Sequence, residues 1–137
     1  MITGVSHITF VVRDLDKTTR LFKDVFDAEE VYDSGDKLHS LYRERFFRIG
    51  GQWIAVMEDG NIVQRTYHHV AFRIADEDID GYLQRIRALQ LELKPPRERV
   101  AGEGYSIYFY DYDNNLFELH TATLQNRLDS YRKLDGE

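Results

Sequence analysis

The chain has 137 residues, a length at which one domain buries a real core without disulfide or structural-metal staples. It contains no cysteine, which excludes a disulfide framework, a thiolate metal site and a cysteine nucleophile, so any metal must be held by His, carboxylate, carbonyl or water. A net charge of −6 argues against nucleic-acid or anionic-membrane partners; with short apolar runs and no basic segment leading into an apolar one near Met1, a soluble cytoplasmic protein is expected.

In SHITFVVRD, Ile8, Phe10 and Val12 alternate with His7, Thr9 and Val11, which predicts a strand with one apolar face and His7 on the other. Leu15, Thr18, Leu21, Phe22, Val25 and Phe26 then recur at helical spacing, with Asp14 as the N-cap. Three further strands are read in VYDSG, SLYRERFFRIG and QWIAVME, with Gly35, Gly50 and Gly51 as turn punctuation.

At YHHVAFRIADED the chain repeats itself. A constant shift of 62 residues sets His7 on His69, Phe10 on Phe72, Val12 on Ile74, Asp14 on Asp76 and Leu21 on Leu83. The second half therefore predicts a strand with Val70, Phe72 and Ile74 on its apolar face, then a helix through Ile79, Tyr82, Leu83, Ile86 and Leu89 capped by Asp76. Strands in LELK, YSIYFYDYD and LFELHT follow, and Leu124, Leu128 and Tyr131 mark a last helix.

Each half reads as strand, helix and three strands. A repeat of two is too short for a solenoid, and a lone four-stranded sheet with one helix leaves its other face bare. The fold class is α+β, a single domain of two tandem βαβββ modules, one over about 1–64 and one over about 65–122, with a C-terminal helix over about 123–133. The helix-free faces are expected to form one cupped mixed sheet lined by His7 and His69, with the helices outside.

The last strand of the second half adds a third donor. Phe117 and Leu119 share one face of NLFELHT, while Leu116, Glu118 and His120 share the other. A carboxylate in the middle of an apolar strand is costly unless paired or metal-bound. The equivalent strand of the first half, WIAVM, has neither His nor carboxylate. Two imidazoles and one carboxylate, His7, His69 and Glu118, make an open site suited to Mn²⁺, Fe²⁺, Co²⁺, Ni²⁺ or Zn²⁺.

GVSHITFVVRDL, RERFF, WIAVM, RTYHHVAF, GEGYSIYFYDYDNNLFELH and TLQNRL resemble the vicinal oxygen chelate superfamily, and within it the fosfomycin-resistance enzymes, over nearly the whole chain. The resemblance is to their metal-dependent hydrolases, and implies Mn²⁺ and addition of water to the epoxide of fosfomycin. It implies Glu44, in YRERFF, as the general base; from the residues alone Glu44 reads as a partner of Arg43, Arg45 or Arg48. It also implies Thr9, Ser106, Tyr108 and Arg127 at the phosphonate, Tyr67 and Trp53 as pocket walls, and a homodimer with His7 from one subunit and His69 with Glu118 from the other. KPPRERVAGEGYS, with Arg97, Arg99, Gly102 and Gly104, reads as a loop able to close over the substrate or as an ordinary surface loop. Three alternatives stay open: a thiol transferase using a low-molecular-weight thiol from solution, a non-catalytic drug-binding protein of the same fold, and a dioxygenase or isomerase of the wider superfamily, since the triad alone does not fix the reaction.

Overall fold

The computed structural model describes residues 1–95 and 100–136, which form two compact units. One comprises residues 1–65 with 111–115, the other the described residues of 66–110 with 116–136.

The first unit runs β1 (His7–Val12), α1 (Leu15–Phe26), β2 (Glu29–Asp33), β3 (Glu44–Ile49) and β4 (Gln52–Glu58), as the alternation predicts. Its sheet has the order β1-β4-β3-β2, with β1 parallel to β4 and the other pairs antiparallel. Helix α1 begins where the Asp14 carboxylate accepts from Lys17 N–H at 3.0 Å, and it ends at Asp27 in the left-handed conformation. Phe22 is fully buried, with its ring edge-on to Phe47 (5.2 Å) and Phe10 (6.4 Å), so the helix seals one face of the sheet. Phe22→Ala is expected to cost about 3–5 kcal/mol, read as a lowered midpoint in chemical denaturation.

Strand β3 is shorter than the apolar pattern predicts, and Tyr42 lies outside it. The ladder stops at Glu44 because Ser34 closes it, donating its N–H to Glu44 O and accepting Glu44 N–H on its hydroxyl, both at 3.0 Å.

The second unit repeats the plan with β5 (His69–Arg73), α2 (Ile79–Ala88), β6 (Leu93–Lys94), β7 (Ser106–Tyr110) and β8 (Leu116–His120), followed by α3 (Leu124–Leu134). The sheet order is β5-β8-β7-β6, again with its first pair parallel. Phe109, Phe117, Leu119 and Ile86 are buried in its core, with Phe109 and Phe117 stacked at 5.7 Å. The expected Asp76 cap is not one. Asp76–Asp78 form a 3₁₀ turn, and Asp78, with backbone angles already near helical, makes no side-chain cap bond to α2. Helix α3 has the reciprocal Thr123–Asn126 capping box. Among the described residues no helix is long and apolar enough to cross a membrane.

Candidate metal centre

Two predicted ligands meet on the helix-free face of the second sheet. Parallel pairing of β5 with β8 sets Ala71 beside Glu118 and His69 beside Leu116, so His69 and Glu118 project from one face on neighbouring strands. Their atoms Nε2 and Oε1 are 3.1 Å apart, and Glu118 is only 4% exposed. His69 Nδ1 lies 2.7 Å from the carbonyl of Tyr67, which can only accept, so Nδ1 carries the ring proton. In neutral His69 the Nε2 lone pair then faces a carboxylate oxygen. Two acceptors at that distance need a cation between them, either a second proton or a metal ion. Ligand bonds of about 2.1–2.2 Å meeting near a right angle set N and O about 3 Å apart, so the pair fits two neighbouring positions on one divalent ion. A carbonyl holding the ring N–H is also how metal-bound imidazoles are commonly oriented.

Around this pair, Ser106 donates to Glu118 Oε2 at 2.5 Å, and its Oγ is 2.7 Å from His120 Nδ1. His120 Nε2 faces Arg127 Nη2 at 3.3 Å. Tyr108 stands opposite Glu118 in the β7–β8 ladder, with its ring edge-on to His69 at 5.5 Å and its hydroxyl 3.4 Å from that of Tyr67. Tyr67 also packs on the His69 ring at 5.0 Å. A cavity of about 330 Å³ opens here, lined by His69, Glu118, His120, Thr123 and Arg127 among others. Arg127 therefore lines this cavity, while Leu124 is largely exposed. Ser106 is also in the site, with its hydroxyl proton directed at Glu118.

His7 stands on β1 in the first unit, exposed, with its ring 4.2 Å from that of Trp53 and Nδ1 3.1 Å from Ser6 Oγ. Among the described residues no three His, Cys, Asp or Glu side chains form a complete ligand group. Register places His7, Thr9, Trp53, Phe46 and Glu44 on one helix-free face, with Trp53 also edge-on to Phe46 at 5.2 Å. The residue in the first sheet that matches Glu118 by register is Ala55.

Glu44 is 6% exposed, and among the described residues its carboxylate has no hydrogen bond or ion pair. The neighbouring arginines are engaged elsewhere. Arg43 bonds Gly35 O and Glu58, Arg45 holds Asp16, Asp33 and Thr19 beneath α1, and Arg48 reaches Glu29. The ion-paired reading of Glu44 is thereby overturned.

Arg97 and Arg99 lie outside the described residues. The rest of their loop is tied down rather than free. Gly102 and Gly104 have φ of +83° and +92°, and a Cβ on either would come within 2.7 Å of Ser130 Oγ or 2.6 Å of Ala122 Cβ. Fully buried Glu103 accepts from Val100 N–H and from the Tyr131 hydroxyl, so the loop is bonded to α3. Glu103 and His120 are the residues to which sequence reasoning gave no role; His120 was findable, two positions past Glu118 on an alternating strand.

Paired βαβββ modules define the class, and the chain belongs to the Glyoxalase/Bleomycin resistance protein/Dioxygenase superfamily, whose sequence model matches residues 4–119. Its relatives include fosfomycin-resistance proteins and, at lower identity, metallothiol transferases such as FosB of Shouchella clausii, 36% identical over 97% of this chain and 90% of its own. FosX of Listeria innocua is 56% identical over 133 residues, 97% of this chain and 100% of its own. FosX of Mesorhizobium japonicum is 55% identical over 128 residues, 93% of this chain and 92% of its own. The crystal structure of a FosX point mutant from Listeria monocytogenes, complexed with Mn(II) and 1S,2S-dihydroxypropylphosphonic acid, matches with a TM-score of 0.88 at 56% identity, covering 94% of this chain and 99% of that one.

Proposed function

We propose that the chain is a Mn²⁺-dependent hydrolase that adds water to the epoxide of fosfomycin, giving the vicinal diol and resistance to the drug in the cytoplasm. The observation that carries this reading is Glu44, a buried carboxylate with no partner among the described residues, on the face that also holds His7 and Thr9. A carboxylate kept free of arginine can accept a proton. The diol phosphonate bound to the Listeria monocytogenes relative is the product that water, not a thiol, gives.

In this reading His69 and Glu118 hold the ion, and in a homodimer His7 of the partner subunit completes the set, the sheet face that carries it bringing Thr9, Glu44 and Trp53 to the same site. When bound, the ion supplies Lewis-acid stabilisation of the negative charge that develops on the oxirane oxygen. Arg127 pairs with the phosphonate, aided by the hydroxyls of Tyr108 and Thr9. Trp53 and Tyr67 wall the pocket and limit the water that enters. Glu44 takes the proton of the one attacking water as its oxygen bonds to carbon and the ring C–O bond breaks; the alkoxide left on the former ring oxygen then takes a proton from water to give the diol, and Glu44 releases its own to water.

The test is ³¹P NMR of fosfomycin with metal-stripped protein, Mn²⁺ and ¹⁸O-enriched water, without thiol. A diol phosphonate carrying one ¹⁸O, abolished by chelator, is the expected product. Conversion only after a thiol is added overturns the hydrolase in favour of a transferase.

A further inference from the structure

We infer that His120 is a positioning residue, linking the guanidinium of Arg127 to the carboxylate of Glu118 through the hydroxyl of Ser106. The inference rests on the reading of His69 and Glu118 as metal ligands and assigns a role to a side chain outside that set.

The hydrogen bonds run in one direction only. Ser106 has a single proton, and the ionised carboxylate of Glu118, 2.5 Å away, can only accept it. The Ser106 oxygen therefore has only lone pairs left for His120, so the proton of their 2.7 Å contact sits on His120 Nδ1. In the neutral ring this leaves Nε2 as an acceptor. There stands Arg127 Nη2, at 3.3 Å, a group that only donates. Arg127 thus gives to His120, His120 to Ser106, and Ser106 to Glu118.

Burial makes the chain hard to replace with water, since the side chains of His120 and Glu118 are 12% and 6% exposed. Ser106 Oγ bridges two groups whose own Nδ1 and Oε2 atoms are 3.5 Å apart, too far for a good direct bond. With Oε2 tied down, Oε1 is the oxygen turned toward His69 Nε2 at 3.1 Å. A fixed carboxylate pays less orientational entropy on taking up an ion, which is how partners outside the ligand set raise metal affinity. Because the far end is Arg127, an anion bound there is sensed at Glu118, and metal and phosphonate affinities are coupled reciprocally.

Two variants separate this role from mere packing. His120→Phe fills the space but neither donates nor accepts, and is expected to weaken Mn²⁺ binding about 10–100-fold. In His120→Asn an amide N–H stands near the place of Nδ1, while the shorter side chain leaves no acceptor at the place of Nε2, where Arg127 donates. It is expected to restore most of the Mn²⁺ affinity while leaving fosfomycin KM raised. Mn²⁺ affinity is read from the electron paramagnetic resonance of the free ion, without substrate. A His120→Phe protein that binds Mn²⁺ as tightly as the parent overturns the inference. So does a metal-free parent whose His120 shows the Nε2–H tautomer in long-range ¹H–¹⁵N NMR. A parent that takes up no Mn²⁺ overturns the metal reading itself, and the tautomer measurement, which needs no metal, tells the two failures apart.

Discussion

Glu44→Gln is expected to bind Mn²⁺ as the parent does and to lose about 10²–10⁴-fold in turnover, the usual contribution of a positioned general base. The substitution is nearly isosteric and removes only the capacity to accept a proton. No arginine is released by it, because Arg43, Arg45 and Arg48 are held by Glu58, by Asp16 with Asp33, and by Glu29. A loss of activity therefore cannot be charged to a broken ion pair, and thermal stability should stay close to that of the parent. Turnover followed by ³¹P NMR and metal uptake measured on the same sample check both halves. Full activity in the variant would remove Glu44 from the chemistry.

His7→Ala and Glu118→Ala are each expected to lose activity by at least about 10²-fold, more than partners outside a ligand set usually contribute. The pair is more informative together. If sites are shared between subunits, co-expression of the two variants restores activity, because a mixed dimer has one intact site built from the His7 of one chain and the Glu118 of the other. Random pairing gives about a quarter of the parent activity per chain, since half the dimers are mixed and each has one working site. If each chain builds its site alone, mixing restores nothing. Isolation of the mixed dimer through two different affinity tags makes the outcome unambiguous.

Much of this architecture is legible in the residues because strands buried on one face must alternate. That constraint exposed the repeat through His7 and His69, separated Glu118 from Phe117 and Leu119, and placed α1 on its Asp14 cap. What alternation cannot show is where a long side chain finds its partner. Arg45 sits one position from Glu44, yet it points to the opposite face and meets Asp16 and Thr19, residues remote in sequence. The start of α2 departs from the pattern for a local reason: Asp76, Glu77 and Asp78 offer three similar carboxylates, and a 3₁₀ turn uses all three positions before the helix begins. The role of Ser106 was similarly hidden. Its place on the strand marks it as a site residue, but only the positions of Glu118 and His120 reveal which way its proton points.

The registers of the two sheets also show how a duplicated sequence divides labour. In the second sheet the rung between β7 and β8 pairs Ser106 with His120, two groups that satisfy each other. The same rung in the first sheet pairs Glu44 with Met57. A thioether offers a carboxylate neither a charge nor a useful proton. One position of the repeat is thus hydrogen-bonded in one copy and, among the described residues, left without a partner in the other, and the general-base role proposed for Glu44 would depend as much on the indifference of Met57 as on Glu44 itself.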